Sequence, residues 1–444
     1  MTIASPSRPS QRTMSGWNSE ARVGKAPARL AAALMVSLAA MNLSAANWPA
    51  WRGADGDGLC TETNVPLRWS PTENIRWRTP LPEPGNSTPV VWNDHVFVTQ
   101  NIGSRRSLMC FGRTRGDLLW TAGVEVTARE RSWHENPYCS PSPVTDGQRV
   151  ICWFGSGGVV AYDFAGQELW RLDLGRHDHL YGYGSSPVLH GDLCFLNFGP
   201  GEREFVVALD KLTGREVWRA VSPAPGRNDT LGTWSTPLVT TFAGRPQLVV
   251  ALRDYLAALD PKTGKELWRC TGLGPQAKTS PVAGEGVVIL SGDVQSAELA
   301  VKLGGEGDVT ATHRLWRRFP ARPRVSTGVI LGRHYYGVRA TGIMDCLQLD
   351  TGEVVWEERL RGPGGRGVCW SSPVLAAGRL YVMNQAGDTF VVQASPRYGI
   401  LGVNSLGESA NASVVISDGQ VILRTHQALW CIGTETPGSM HGRE

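Results

Sequence analysis

ALDKLTGREVW (208–218) and ALDPKTGKELW (258–268) decide the fold of this chain. Each reads as a strand, a tight turn and a returning strand. The Asp accepts backbone hydrogen bonds inside the turn, and the Gly takes the positive φ that the turn demands. Versions of the same pattern recur along the sequence. Trp120, Trp170, Trp218, Trp268, Trp316 and Trp356 follow one another at gaps of 50, 48, 50, 48 and 40 residues. Five of them follow a glycine as Gly-x-x-x-Trp (Gly116, Gly166, Gly214, Gly264 and Gly352). A fixed period of this size marks a repeat architecture. Strand alternation predicts that each Trp shares a face with the residue two before it.

A second marker opens each repeat: STPVV (87–91), SPSPV (140–144), SSPVL (185–189), STPLV (235–239), TSPVA (279–283), STGVI (326–330), SSPVL (371–375) and NASVV (411–415). The eight copies are spaced about 46 residues apart, and each is followed by two apolar runs separated by a turn. Four short strands per period is the size of a propeller blade. The last repeat ends at ALWCIG (428–433) without a Thr-Gly-Trp strand, and ENIRWRTPLP (73–82) supplies one, with Trp77 in the Trp position. An open ring would leave exposed sheet edges. The expected fold is therefore all-β: an eight-bladed β-propeller of four-stranded antiparallel blades, closed by an N-terminal strand. Residues 47–72 form an N-terminal extension, 73–433 the propeller and 434–444 a tail. The seventh blade is degenerate, FVVQASPRYGILGVNSL (390–406), and the fifth carries a glycine-rich insertion at 303–312.

Arg22, Lys25 and Arg29 precede the apolar run LAAALMVSLAAMNL (30–43), and Ser44-Ala45-Ala46 offers a small-residue cleavage site. This is the layout of a leader peptide, with Met1 or Met14 as its start. It predicts a periplasmic or secreted protein, cleaved near Ala46, with no transmembrane segment in the mature chain. The leader holds five of the 44 basic and one of the 40 acidic residues, which leaves 39 of each. A neutral mature chain gives no footprint for nucleic acid. None of the nine cysteines are adjacent or form C-x-x-C, which excludes a c-type haem site. Cys152, Cys194, Cys346 and Cys431 fall inside strand patterns and read as small buried hydrophobes.

The repeated A-x-D-x-x-T-G-x-x-x-W pattern resembles the pyrroloquinoline-quinone (PQQ)-type propeller repeat, over roughly residues 73–433. That resemblance implies an eight-bladed ring. It covers both quinoprotein alcohol and sugar dehydrogenases, which bind the quinone with calcium, and BamB-like assembly lipoproteins, which bind partner proteins. NWPAWRG, HENPYCSPSP and YGYGSSPVLHGDLCFLNFGPGE also resemble secreted propellers of planctomycete-type bacteria. The dehydrogenases resemble one another in an adjacent Cys-Cys pair and a Trp platform. This chain lacks the pair, and Trp234 or Trp370 offers the platform. No D-x-D-x-D cluster supplies the oxygens that calcium needs. The leader ends without the cysteine that a lipid anchor requires.

The strand that opens each blade lines the channel, so residues just before each marker crowd one mouth. They are His134, Glu135, Asn136 and Tyr138; His177, His179, Tyr181 and Tyr183; Asn228, Asp229 and Trp234; Lys278; Arg324; and Arg366 and Trp370. Aromatic walls with a few oriented polar groups make a ligand pocket. Lys278 and Arg324, on neighbouring blades, are expected to clamp an anion. His177 and His179 share a strand face but lack a third metal ligand. GSGG (155–158) and GPGE (199–202) do not open a helix and so make no phosphate cradle. These features predict a monomeric binding scaffold for a small polar or anionic ligand or a protein partner, with no cofactor expected. The alternative is a PQQ-dependent dehydrogenase. The rim Trp and Tyr residues suggest a third reading, carbohydrate binding.

Overall fold

The computed structural model describes residues 47–127, 130–201, 203–221, 231–293, 295–320, 322–365 and 367–433. The leader, the C-terminal tail, Asn228, Asp229 and Arg366 lie outside the described residues. The described residues form eight four-stranded antiparallel blades and a single 3-10 turn at Gly155–Gly157. Blades 1 to 7 span 90–125, 144–172, 188–221, 238–271, 282–318, 329–359 and 374–405. Blade 8 joins 415–432 to the N-terminal strand Ile75–Pro80, which pairs with Ala428–Ile432. The ring closes where the sequence places it.

The core lies between the blades. Separate buried clusters fill the interfaces of blades 1–2, 2–3, 3–4, 4–5, 5–6 and 6–7, and a larger one joins 7, 8 and 1. The Gly-x-x-x-Trp pattern is the latch of these interfaces. Trp77, Trp120, Trp170, Trp218, Trp316 and Trp356 each dock on the turn of the next blade: the Trp170 indole donates to Lys211 O (3.0 Å) and that of Trp218 to Pro261 O (2.9 Å). The turn glycines lie flat on those rings. A Cβ on Gly214 or Gly264 would come within 2.4 or 2.5 Å of the indole, and both have φ near +70°. Two constraints thus require the same glycine. Blade 5 has no such turn, and the Trp268 indole bonds instead to Gln247 of its own blade. The insertion at 303–312 covers this site. Its Gly307–Asp308 runs parallel to the outer strand of blade 4 at Trp268 and Arg269.

One expectation is corrected. Trp does not share a face with the residue two before it. Every Trp strand carries a β-bulge: Glu266 pairs with Leu259, whereas Trp268 pairs with Ala258. The same shift recurs before Trp77, Trp120, Trp170, Trp218, Trp316 and Trp356. The extra residue turns Trp to the opposite face, towards the next blade.

The opening markers build a closed belt around the axis. The N–H of Thr88 donates to Ser142 Oγ (2.8 Å), Ser142 to Ser186 (3.0 Å), Ser186 to Thr236 (2.9 Å) and Thr236 to Ser280 (2.8 Å). Ser280 continues to Thr327 (2.8 Å), Thr327 to Ser372 (2.9 Å), Ser372 to Ser413 (3.0 Å), and Ser413 back to Thr88 (3.1 Å). The preceding hydroxyl bonds within its own blade, as Ser371 does to Met383 O. The proline that follows in most copies costs nothing, because the innermost strand has no further strand to receive its N–H.

Candidate functional site

The residue immediately before each belt segment faces the axis. In blade order these are Asn86, Ser140, Gly184, Trp234, Lys278, Val325, Trp370 and Asn411, and all eight line one cavity of about 350 Å³ at the channel mouth. Trp133, Asn136 and Tyr181 complete its wall from loops, and Trp51 reaches it from the N-terminal extension. One residue further back the chain faces the blade interfaces. There Cys139, Thr233, Ala277, Arg324, Cys369 and Ala410 are all at most 1% exposed, and Tyr183 is 3% exposed. A period of two along an extended chain produces this division.

The N-terminal extension forms the floor. Trp48 exchanges two hydrogen bonds with Val91 of blade 1, and Pro49 O accepts Thr145 N–H of blade 2. The chain then crosses the channel. Arg52 is buried, and its guanidinium donates to Gly328 O (2.7 Å) and Pro373 O (2.8 Å) of blades 6 and 7. Leu59–Cys60 finally adds a parallel strand to blade 7. Burial among carbonyls lowers the Arg52 pKa to about 10, which leaves it charged at neutral pH. Trp51 lines both the mouth cavity and a cavity of about 480 Å³ on the other side of the strap. The strap thus crosses the channel between the two cavities.

The sequence-predicted residues divide accordingly. Asn136, Tyr181, Trp234, Lys278 and Trp370 line the cavity. His134 and Glu135 line a neighbouring hollow of about 610 Å³. His179 is fully buried; its Nδ1 accepts Tyr181 N–H (3.2 Å) and its ring stands edge-on to Trp234 at 5.0 Å. Tyr138 donates to Glu130 O (2.6 Å) under the Arg106 guanidinium, and the Tyr183 hydroxyl accepts Cys139 N–H (3.4 Å). His177 is enclosed by Trp153, Tyr183 and Phe198, and burial drives its pKa down to about 4, so it is neutral. Among the described residues no group of His, Cys, Asp or Glu is arranged to hold a metal. All nine cysteines are free thiols, and eight are buried.

The Lys278–Arg324 clamp does not form. Arg324 is fully buried between blades 5 and 6. Its Nη2 bonds both Asp345 oxygens (2.6 and 2.8 Å) and its Nε bonds Glu298. Burial opposes the charge on Arg324, but Asp345 and Glu298 more than offset it and keep its pKa well above the usual value. Burial likewise opposes the Glu298 charge, yet Arg324 and Arg318 hold its pKa below the ordinary range. Lys278 does face the cavity, but its ammonium is paired with buried Asp293 and lies 5.5 Å from the Tyr181 ring and 5.9 Å from that of Trp234. Sequence reading missed Trp51, Asn86, Trp133 and Asn411. The same offset, applied to the first and last markers, points to Asn86 and Asn411.

The family model described as outer membrane protein assembly factor BamB matches residues 67–200 and 202–437. No curated protein matches the sequence. Among solved structures, BamB from Moraxella catarrhalis superposes with a TM-score of 0.58 at 13% identity, covering 83% of this chain and 99% of that one. A europium-containing methanol dehydrogenase gives 0.53 at 12%, over 86% and 90%. The computationally designed protein Ika8 gives 0.55 at 12%, over 85% and 99%. An assembly factor, an enzyme and a design share this ring, so at such identities the likeness establishes the fold alone.

Proposed function

The chain belongs to the BamB-type family of PQQ-repeat propellers, and from that premise we propose that it is an exported binding scaffold whose ligand or partner engages the channel mouth. One observation carries the reading: the mouth is an aromatic-walled cavity floored by the chain's own N-terminal strap. Concave sites with aromatic walls and a few placed polar groups are where small ligands bind. The apolar run at 30–43 supports export, and no described helix is long and apolar enough to cross a membrane.

The quinone reading fits these residues poorly. The quinone is a tricarboxylate, and the one lysine of the described lining is already paired with Asp293. Adjacent cysteines and a calcium-type carboxylate cluster are also missing from the described residues. The test is reconstitution of the purified protein with quinone and calcium beside a fluorescence screen of small metabolites. Binding reported by the mouth tryptophans, and lost in Trp370→Ala, supports the scaffold reading. A quinone absorbance band with dye-linked alcohol or sugar oxidation overturns it.

A further inference from the structure

We propose that the mouth cavity takes the end of a neutral oligosaccharide; this rests on the reading of the mouth as a ligand site and names its ligand class. Charge is the first argument. Seven of the eight axial residues are neutral, and the eighth, Lys278, has its counter-charge in Asp293, which is 4% exposed. The described lining therefore offers no uncompensated charge to an anion or a cation.

Hydrogen-bonding capacity is the second. The side-chain amides of Asn86 and Asn411 both donate to Glu135 O, at 2.7 and 3.3 Å. Their Oδ1 atoms have no partner and almost no accessible surface, and Asn411 is 8% exposed, so a ligand reaches them by turning these side chains into the cavity. Two orphan carbonyls in one wall require donors. The belt hydroxyls Ser142, Ser186, Thr236 and Ser280 also line the cavity. Each accepts a backbone N–H with its oxygen, which leaves its own proton to donate. A wall of mixed acceptors and donors without net charge matches a ligand whose groups do both, and sugar hydroxyls do.

Shape is the third. Trp234 and Trp370 stand three blades apart around a ring of eight, so they face the cavity from opposing sides, with Trp51 on the floor. Aromatic faces pack against the C–H faces of sugar rings. A second, polar hollow of about 610 Å³ beside blades 7 and 8 shares Asn411 with the cavity and lies where further units of a chain would extend.

The experiment is titration calorimetry of the purified protein with cellotriose, maltotriose and diacetylchitobiose, and with trigalacturonate as the anionic counterpart. We expect at least one neutral sugar to bind with an affinity insensitive to ionic strength. Trp133→Ala, at an exposed ring on the rim, should weaken it about three- to tenfold. Asn411→Leu should weaken it as well, with the folded state checked by circular dichroism. Preferential, salt-sensitive binding of trigalacturonate overturns the assignment, as does failure of every saccharide. The broader reading falls only if a metabolite screen also leaves the mouth fluorescence unchanged, so the two failures are distinguishable.

Discussion

Lys278 and Arg324 arise from adjoining blades, close to the same marker, and meet opposite fates. Lys278 stands one residue before its belt segment and lines the cavity. Arg324 stands two before and is sealed between blades with Glu298 and Asp345. The region around Arg324 buries charge by pairing it; Arg318 and Arg339 extend the network to Glu298 and Asp345. His177 is instead buried uncharged in a cage of Trp153, Tyr183 and Phe198, beside the buried Arg106–Glu130 pair. A shift of one residue in an extended segment thus separates a cavity-facing side chain from a structural one.

Arg324→Met should be the most damaging substitution. It leaves two buried carboxylates without their main partner, and removal of one member of a buried pair costs about 3–5 kcal/mol. Urea unfolding should show a loss of this size. A variant as stable as the parent would mean that water reaches Glu298 and Asp345.

His177 tests the other solution. Its folded pKa of about 4 lies below the ordinary value of 6.5. The unfolded chain therefore binds the proton first as the medium acidifies. The stability tied to neutral His177 is complete above pH 6.5 and is lost as pH falls towards 4, by up to about 3 kcal/mol. His177→Phe, within the cage of Trp153, Tyr183 and Phe198, should flatten this acid limb. If both proteins lose stability in parallel between these pH values, the loss belongs to other groups.

The ring, its closure and its blade count were legible because they rest on spacing, and spacing survives without side-chain detail. The docking of Trp170 on Gly214 and of Trp218 on Gly264 explains why the pattern recurs at all. The face of each Trp was not legible, because the bulge that turns it leaves no mark in a period-two reading. At the mouth the right segments were identified, but without the offset. Trp234, Lys278 and Trp370 occupy the axial position, whereas Tyr183 and Arg324 sit one residue behind it. Trp51 was beyond reach, since only a chain crossing the channel brings residue 51 beneath residues 234 and 370.

The belt offers a smaller test. Ser280→Ala removes the acceptor of the Thr236 N–H, one of eight bonds in the closed circle. An orphaned buried N–H costs about 1–3 kcal/mol. The cost should be similar at Ser142, which accepts from Thr88 on the other side of the cavity. A loss confined to one of the two positions would show that the belt does not share load evenly.

The smallest effect is expected at Lys278. Its side chain is 30% exposed, so water can replace part of what the ammonium gives Asp293. Asp293 is 3% exposed, but water entering the space that Lys278 leaves at the mouth can solvate its carboxylate, which holds the cost to about 1 kcal/mol. Lys278→Met should therefore change the urea midpoint slightly, well short of Arg324→Met. Its charge matters more to the cavity. With Lys278 removed, Asp293 becomes the uncompensated group beside the mouth, and the cavity acquires negative character. Anionic probes should then be disfavoured relative to neutral ones, while Lys278→Met/Asp293→Asn should restore the parent's indifference to charge. If the double variant discriminates as strongly as the single one, Asp293 does not set the potential of the mouth, and the neutrality of the cavity has another source.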